Sequence, residues 1–397
     1  MKTLLEKLSD NGIKTLEDYL KSAEGLDDTK ISEYIKILSR YAKASGIKQD
    51  DYETFFNKHG LSELNWGRKN SAVKQFVNLF SENDNLDTLS SIIKNNGAIS
   101  INKITEVGNI FKDYCKGWED EAKTISTWTN SRSANAGPCE LLLKFMLKEG
   151  NSSNVGDVAI RKSEESDEND EMEVKAGTLK GKSGSGGHAA GQKGNIRKTW
   201  AIYYWLDNYL FNIETSNNIA DSRAYFQNES GVKDFNQKLN DAGLLNKSQY
   251  TKIANEIVNA LCFQYDQIKN DDSTKNNLDA SKLKKLQNAS LSFIKEKITD
   301  NGFQKQDLLN LVGCIQLYLY SQIEQFDYFF AVLIDKNTNN ESESNGFYIC
   351  VKNCKDENTD LLNFNKMLQH LKFGTLDSTT TTQGRTGKIY IVQNNNV

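Results

Sequence analysis

Two carboxylates and an ammonium fall at strand spacing in the segments GDVAI (156–160) and EMEVKAG (171–177). In an extended chain residues two apart share a face, so Val158 and Ile160 point one way while Asp157 and Ala159 point the other. In the second segment Met172, Val174 and Ala176 form the apolar face, which leaves Glu173 and Lys175 opposite. An antiparallel hairpin over the acidic tip SEESDEND (163–170) would gather Asp157, Glu173 and Lys175 in a wet cleft, with their backs toward a core. Two carboxylates beside one lysine suit phosphodiester hydrolysis. Hard oxygen ligands take Mg²⁺, with Mn²⁺ as a substitute, and the ion keeps waters and bridges to a phosphate. A neighbouring ammonium orients the nucleophile or stabilises the transition state. Other chemistries have few candidates, because the three histidines (His59, His188, His370) are far apart and the six cysteines form no CxxC pair. That argues against a structural zinc site and against a histidine-activated nucleophile.

The elements that must position these groups follow from the surrounding pattern. The sole proline, Pro138, stands where a first helical turn begins and needs no hydrogen-bonded N–H. It predicts a helix over 138–148, directly before the hairpin. Before it, residues 1–128 show apolar positions at three- and four-residue spacing, as in Leu4, Leu5 and Leu8 and in Tyr34, Ile35, Leu38 and Tyr41. Thr15 and Asp18 in TLEDYL form a near capping box. Beyond the hairpin lies the Gly-rich, flexible stretch GTLKGKSGSGGHAAGQKGN (177–195). Helices are expected over 200–213, 250–269, 279–299 and 304–323, and strands over 329–335, 346–353 and 388–392.

The hairpin residues resemble the PD-(D/E)xK nuclease superfamily. Asp157 matches its first acidic position, with Gly156 where a proline is usual, and Glu173-Val174-Lys175 matches the (D/E)xK tripeptide. Glu140, just inside the preceding helix, matches an acidic residue that many members carry. The resemblance implies that Asp157 and Glu173 bind metal, that the Val174 carbonyl adds a ligand, that Lys175 acts on the water or the transition state, and that Glu140 supports the metal or its water. Gln316 and Tyr320 reproduce the QxxxY spacing of RecB-like members, on a helix followed by a strand. About 140 residues separate that helix from Lys175, so a large helical insertion is implied.

Net charge is −4, so any surface for an anionic partner must be local. Residues 174–206 hold no acidic side chain but carry Lys180, Lys182, Lys193, Arg197 and Lys198 besides Lys175. A Gly-rich basic loop beside a metal site can approach a phosphate backbone through side chains and free N–H groups, which makes DNA the expected partner. GKSGSGG does not have Walker A spacing, and His188 within it reads as a solvent-exposed loop residue. The aromatic run Trp200, Tyr203, Tyr204, Trp205 and Tyr209 offers stacking surfaces, although an aromatic-rich helix is more often core. The acidic tip lacks the spaced ligands and central glycine of a calcium loop.

These readings combine into an α/β (α+β) expectation: a restriction-endonuclease-like core of helix, β-hairpin, helix and strand, with a helical N-terminal region and a large helical insertion. The domains would be 1–130 (helical), 131–180 (first part of the core), 181–303 (basic loop and helical insertion) and 304–397 (second part of the core with C-terminal strands). The expected activity is a Mg²⁺-dependent DNA endonuclease, with a homodimer serving double-strand cleavage. The competing expectation is a non-catalytic nucleic-acid-binding or virion structural protein that retains the fold. No apolar run approaches the ~18 residues of a membrane span, and cysteines in apolar segments, such as Cys262 and Cys314, read as buried free thiols of a reducing compartment. The expected location is therefore the cytoplasm of a bacterium or phage-infected cell, or a virion.

Overall fold

The computed structural model describes residues 157–162, 168–179, 229–269, 278–335, 346–369, 371–373, 377–381, 384–388 and 390–393, together with positions 27–29, 32, 109–110, 143, 147, 150–151, 188–189 and 209–211. The fold mixes helices and strands. In chain order the strands are β1 (Asn109–Ile110), β2 (Gly150–Asn151), β3 (Val158–Arg161), β4 (Asn169–Leu179), β5 (His188–Ala189), β6 (Tyr328–Asp335), β7 (Gly346–Val351), β8 (Leu371–Phe373), β9 (Asp377–Thr381), β10 (Gly384–Lys388) and β11 (Tyr390–Gln393). The helices are α1 (Glu229–Asp241), α2 (Tyr250–Lys269), α3 (Ala280–Lys297), α4 (Lys305–Glu324) and α5 (Phe364–Leu368), with a 3-10 turn at Asp360–Leu362. Two compact units hold them. One contains β2, β3 and β4 as far as Ala176, and the other contains the helices, β5, β6 and β8 to β11, and β7 from Phe347 onward.

In the first unit β3 lies between β2 and β4. Both pairings are antiparallel, with Val158 opposite Met172 and Ile160 opposite Asp170. The expected hairpin is present with different limits. Asp157 precedes β3 as a bend, and β4 begins at Asn169, so the last residues of the acidic tip belong to the ladder. At the turn end of the hairpin Lys162 forms ion pairs with the exposed Glu168 (3.2 Å) and with Asp170 (3.6 Å). Those contacts, the Glu168 hydrogen bond first, raise the lysine's pKa. Val158, Ala159, Ile160, Met172 and Val174 are all buried. Alternation places Ala159 on the Asp157 face, so that face is covered at this point instead of being wet along its length.

The second unit is built around α4, in which every residue from 308 to 322 is buried. A helix apolar on all sides must be surrounded, and α2, α3, α5, the 3-10 turn and β8 all pack against it. Gly313 permits the closest approach: a Cβ there would collide with the Phe373 ring of β8. The strand is also held by polar contacts, because Phe373 N–H donates to Asn310 Oδ1 (3.0 Å) and Gln306 Nε2 donates to the Phe373 carbonyl (2.8 Å). β8 pairs with β11, which pairs on its other side with β5, and β9 and β10 form a separate antiparallel hairpin. β6 and β7 are neighbours, with Phe330 stacked on Tyr348 at 5.6 Å.

Turn chemistry fixes how α3 and α4 meet. Gly302 takes φ +90°, which L side chains avoid, and the Asn236 side chain occupies the space where a Cβ would lie. Asn236 accepts from Phe303 N–H (2.9 Å) and donates to the Phe303 carbonyl (2.8 Å), so one side chain satisfies both groups of an otherwise unladdered residue. Asp279 caps α3 through the Lys282 N–H (2.8 Å). A left-handed Gln325 (φ 59°) ends α4 and turns the chain toward β6.

Candidate functional site

The site forms on the β3–β4 hairpin. Continuing the ladder one residue beyond the Val158–Met172 pair places Asp157 opposite Glu173. Lys175, two residues further along β4, shares that face. Asp157 Oδ2 accepts a hydrogen bond from the Val174 N–H (2.8 Å), so a backbone donor fixes the carboxylate that the sequence placed only by alternation. Lys175 Nζ donates to Glu173 Oε1 and to the Val174 carbonyl (3.2 Å), and it lies 3.7 Å from Asp157 Oδ2. Three oxygens thus converge on one ammonium: two carboxylate oxygens and one main-chain carbonyl.

The setting is half-buried. Side-chain exposure is 28% for Asp157, 20% for Lys175 and 13% for Glu173, which departs from the wet cleft expected of an outer sheet face. Charges so placed are screened less by salt than surface pairs, and each needs the others to offset lost hydration. The Val174 side chain and Met172 are buried on the opposite face and anchor the backbone beneath the charged groups.

An oxygen-only donor set fits Mg²⁺, which retains several waters and needs few protein ligands. The Lys175 ammonium is itself a cation surrounded by these oxygens. Among the described residues no group of three or more His, Cys, Asp or Glu side chains is placed to hold a metal ion; the hairpin offers two carboxylates, Asp157 and Glu173, and the Val174 carbonyl. Glu140, the fourth expected member, lies outside the described residues, as do the basic side chains Lys180, Lys182, Lys193, Arg197 and Lys198.

Gln316 and Tyr320 lie on α4 in the second unit, where both are buried, at 1% and 5% exposure. Tyr320 packs edge-on against Phe326 at 5.4 Å. Here the QxxxY pair sits within a core helix buried on every side, not on the rim of an amphipathic one. The Gly-rich stretch also departs from the expected loop: its first residues, 177–179, continue β4, and His188 forms strand β5 instead of standing in a loop. Of the aromatic run, Tyr209 is described and lies in a helical turn with buried Leu210 and with Phe211, whose ring meets Phe235 at 6.2 Å. Tyr209 and Phe211 are half-buried there, and Trp200, Tyr203, Tyr204 and Trp205 lie outside the described residues. The Val174 N–H is a contact of this candidate site that side-chain types alone do not show, because it depends on the ladder register.

Compared with protein families, curated proteins and solved structures, the chain matches none. No helix among the described residues is long and apolar enough to cross a membrane.

Proposed function

We propose that the protein is a Mg²⁺-dependent DNA endonuclease with a restriction-endonuclease-like core, hydrolysing phosphodiester bonds at the β3–β4 hairpin. The observation that carries this reading is the meeting of Asp157, Glu173, the Val174 carbonyl and Lys175 within one hairpin, in the order and spacing of the PD-(D/E)xK signature. Asp157 and Glu173 would hold the ion together with the Val174 carbonyl, and Glu140 would support it. When bound, Mg²⁺ supplies Lewis-acid stabilisation of charge on the phosphate and lowers the pKa of water. The chain's own residues do the rest. The Val174 N–H keeps Asp157 oriented, the buried backs of β3 and β4 hold the carboxylates at fixed separation, and Lys175 offers a positive charge to the attacking water or the transition state.

The partner in this reading is DNA, contacted by Lys180, Lys182, Lys193, Arg197 and Lys198 through phosphates, with a homodimer serving double-strand cuts. Gln316 and Tyr320 would support the core from within, and the setting would be restriction or phage DNA processing. The test is incubation of the purified protein with plasmid and with linear DNA, in Mg²⁺ or in EDTA. Cleavage that needs Mg²⁺ supports the proposal. DNA binding without cleavage in any divalent ion would replace it with a non-catalytic nucleic-acid-binding protein.

A further inference from the structure

We infer that Lys175 is a built-in placeholder for the metal, so that ion binding displaces its ammonium and metal occupancy and the position of the lysine are coupled. The inference rests on the nuclease reading of the same site and adds how that site is controlled. Lys175 Nζ donates to Glu173 Oε1 and to the Val174 carbonyl (3.2 Å) and forms an ion pair with Asp157 Oδ2 (3.7 Å). Those are the oxygens assigned to the ion. A magnesium ion draws its ligands to about 2.0–2.1 Å and would repel a cation held among the same oxygens.

The placeholder has a physical purpose. Two half-buried carboxylates facing each other repel unless a positive charge lies near them, and Lys175 supplies it while the ion is absent. The side chain can yield, because a lysine is a point charge on a flexible four-carbon stem with rotatable donors. It is also 20% exposed. Once displaced it would still carry its charge near the site, available to a phosphate or its attacking water. Lys175 would thus offset the charge of Asp157 and Glu173 until an ion takes those oxygens, and would then be free to act on the substrate.

The experiment measures Mn²⁺ binding without DNA, by electron paramagnetic resonance of the free ion, for wild type, Lys175→Met and Asp157→Asn. Methionine keeps an unbranched stem and removes the charge. Lys175→Met is expected to bind Mn²⁺ more tightly than wild type, on the order of tenfold, while Asp157→Asn loses the binding. Melting without metal should fall for Lys175→Met, and the rise in Tm on adding Mn²⁺ should be larger than for wild type. Asp157-dependent binding that is equal or weaker in Lys175→Met overturns the placeholder role and leaves the metal centre standing. If neither wild type nor Lys175→Met shows Asp157-dependent binding, the metal-centre reading itself fails. If Lys175→Met does not fold, Lys175→Gln replaces it under the same criteria.

Discussion

Asp157 carries two duties that a single substitution can separate. It accepts from the Val174 N–H (2.8 Å) and faces the Lys175 ammonium. Asp157→Ala removes both, leaving a partly buried N–H without its partner at a cost of about 1–3 kcal/mol. Asp157→Asn keeps an oxygen for Val174 and loses only the charge. It is therefore expected to retain near-native melting while losing cleavage on the order of 10²-fold or more, as removal of an electrostatic group from a reaction centre does. Glu173→Gln and Lys175→Met should lose activity to a similar degree, and Glu140→Gln should lose less. Rates on plasmid DNA, read beside melting curves for each variant, check the series; wild-type turnover in Asp157→Asn would remove this residue from the site. Three thiols offer a second check at this scale. Burial pushes the pKa values of Cys314, Cys350 and Cys354 well above the ordinary thiol range. All three should resist alkylation in native protein at pH 8, where a protonated, enclosed thiol is a poor nucleophile. Mass spectrometry should find them modified only after denaturation. Cys262, also expected to be buried, is only partly enclosed and should label earlier.

Elements whose apolar period was strong were legible in the sequence. The expected helix over 250–269 is α2, and those over 279–299 and 304–323 differ from α3 and α4 at their ends alone. The expected strands at 329–335 and 346–353 are β6 and β7 with shifted limits, because runs of β-branched and aromatic residues leave little ambiguity. The C-terminal 388–392 segment instead straddles two strands, β10 and β11. Short elements made by tertiary contact were not legible. β8 is three residues long and exists because Asn310 and Gln306 bind Phe373 and because Gly313 leaves room for its ring. Helix α1 was also unread, its 13 residues being mostly polar around buried Val232, Phe235 and Leu239. At the hairpin, alternation places the three charged residues on one face, whereas their half-buried state and the burial of Ala159 on that face are tertiary properties that no local pattern encodes. The β8 contact yields a prediction: Gly313→Ala should overpack the α4–β8 contact and destabilise the protein by about 1–3 kcal/mol, measured by urea unfolding. An unchanged midpoint would mean that the Phe373 ring moves aside freely.

For the whole molecule the net charge of −4 gives no long-range attraction to DNA, so affinity must come from a local surface. If the acid-free stretch 174–206 supplies it, replacing Lys180, Lys182, Lys193, Arg197 and Lys198 with glutamine should weaken binding and reduce the salt slope by about 0.9 log unit per lost duplex phosphate contact. Lys175 stays in place in that variant, so the rate at saturating DNA should recover much of the wild-type value. Unchanged affinity and slope would move the DNA surface to the helical regions. In the proposed function a divalent ion held by the hairpin cuts DNA. The most direct test is single-turnover cleavage of supercoiled plasmid by wild type and Asp157→Asn, purified identically, in Mg²⁺, Ca²⁺ and EDTA. Nicked or linear product is expected from wild type in Mg²⁺ alone, since the larger and more loosely coordinated Ca²⁺ positions water poorly. Intact plasmid with wild type in Mg²⁺, equal cleavage by Asp157→Asn, or cleavage that persists in EDTA would rule out metal-dependent cleavage at the hairpin.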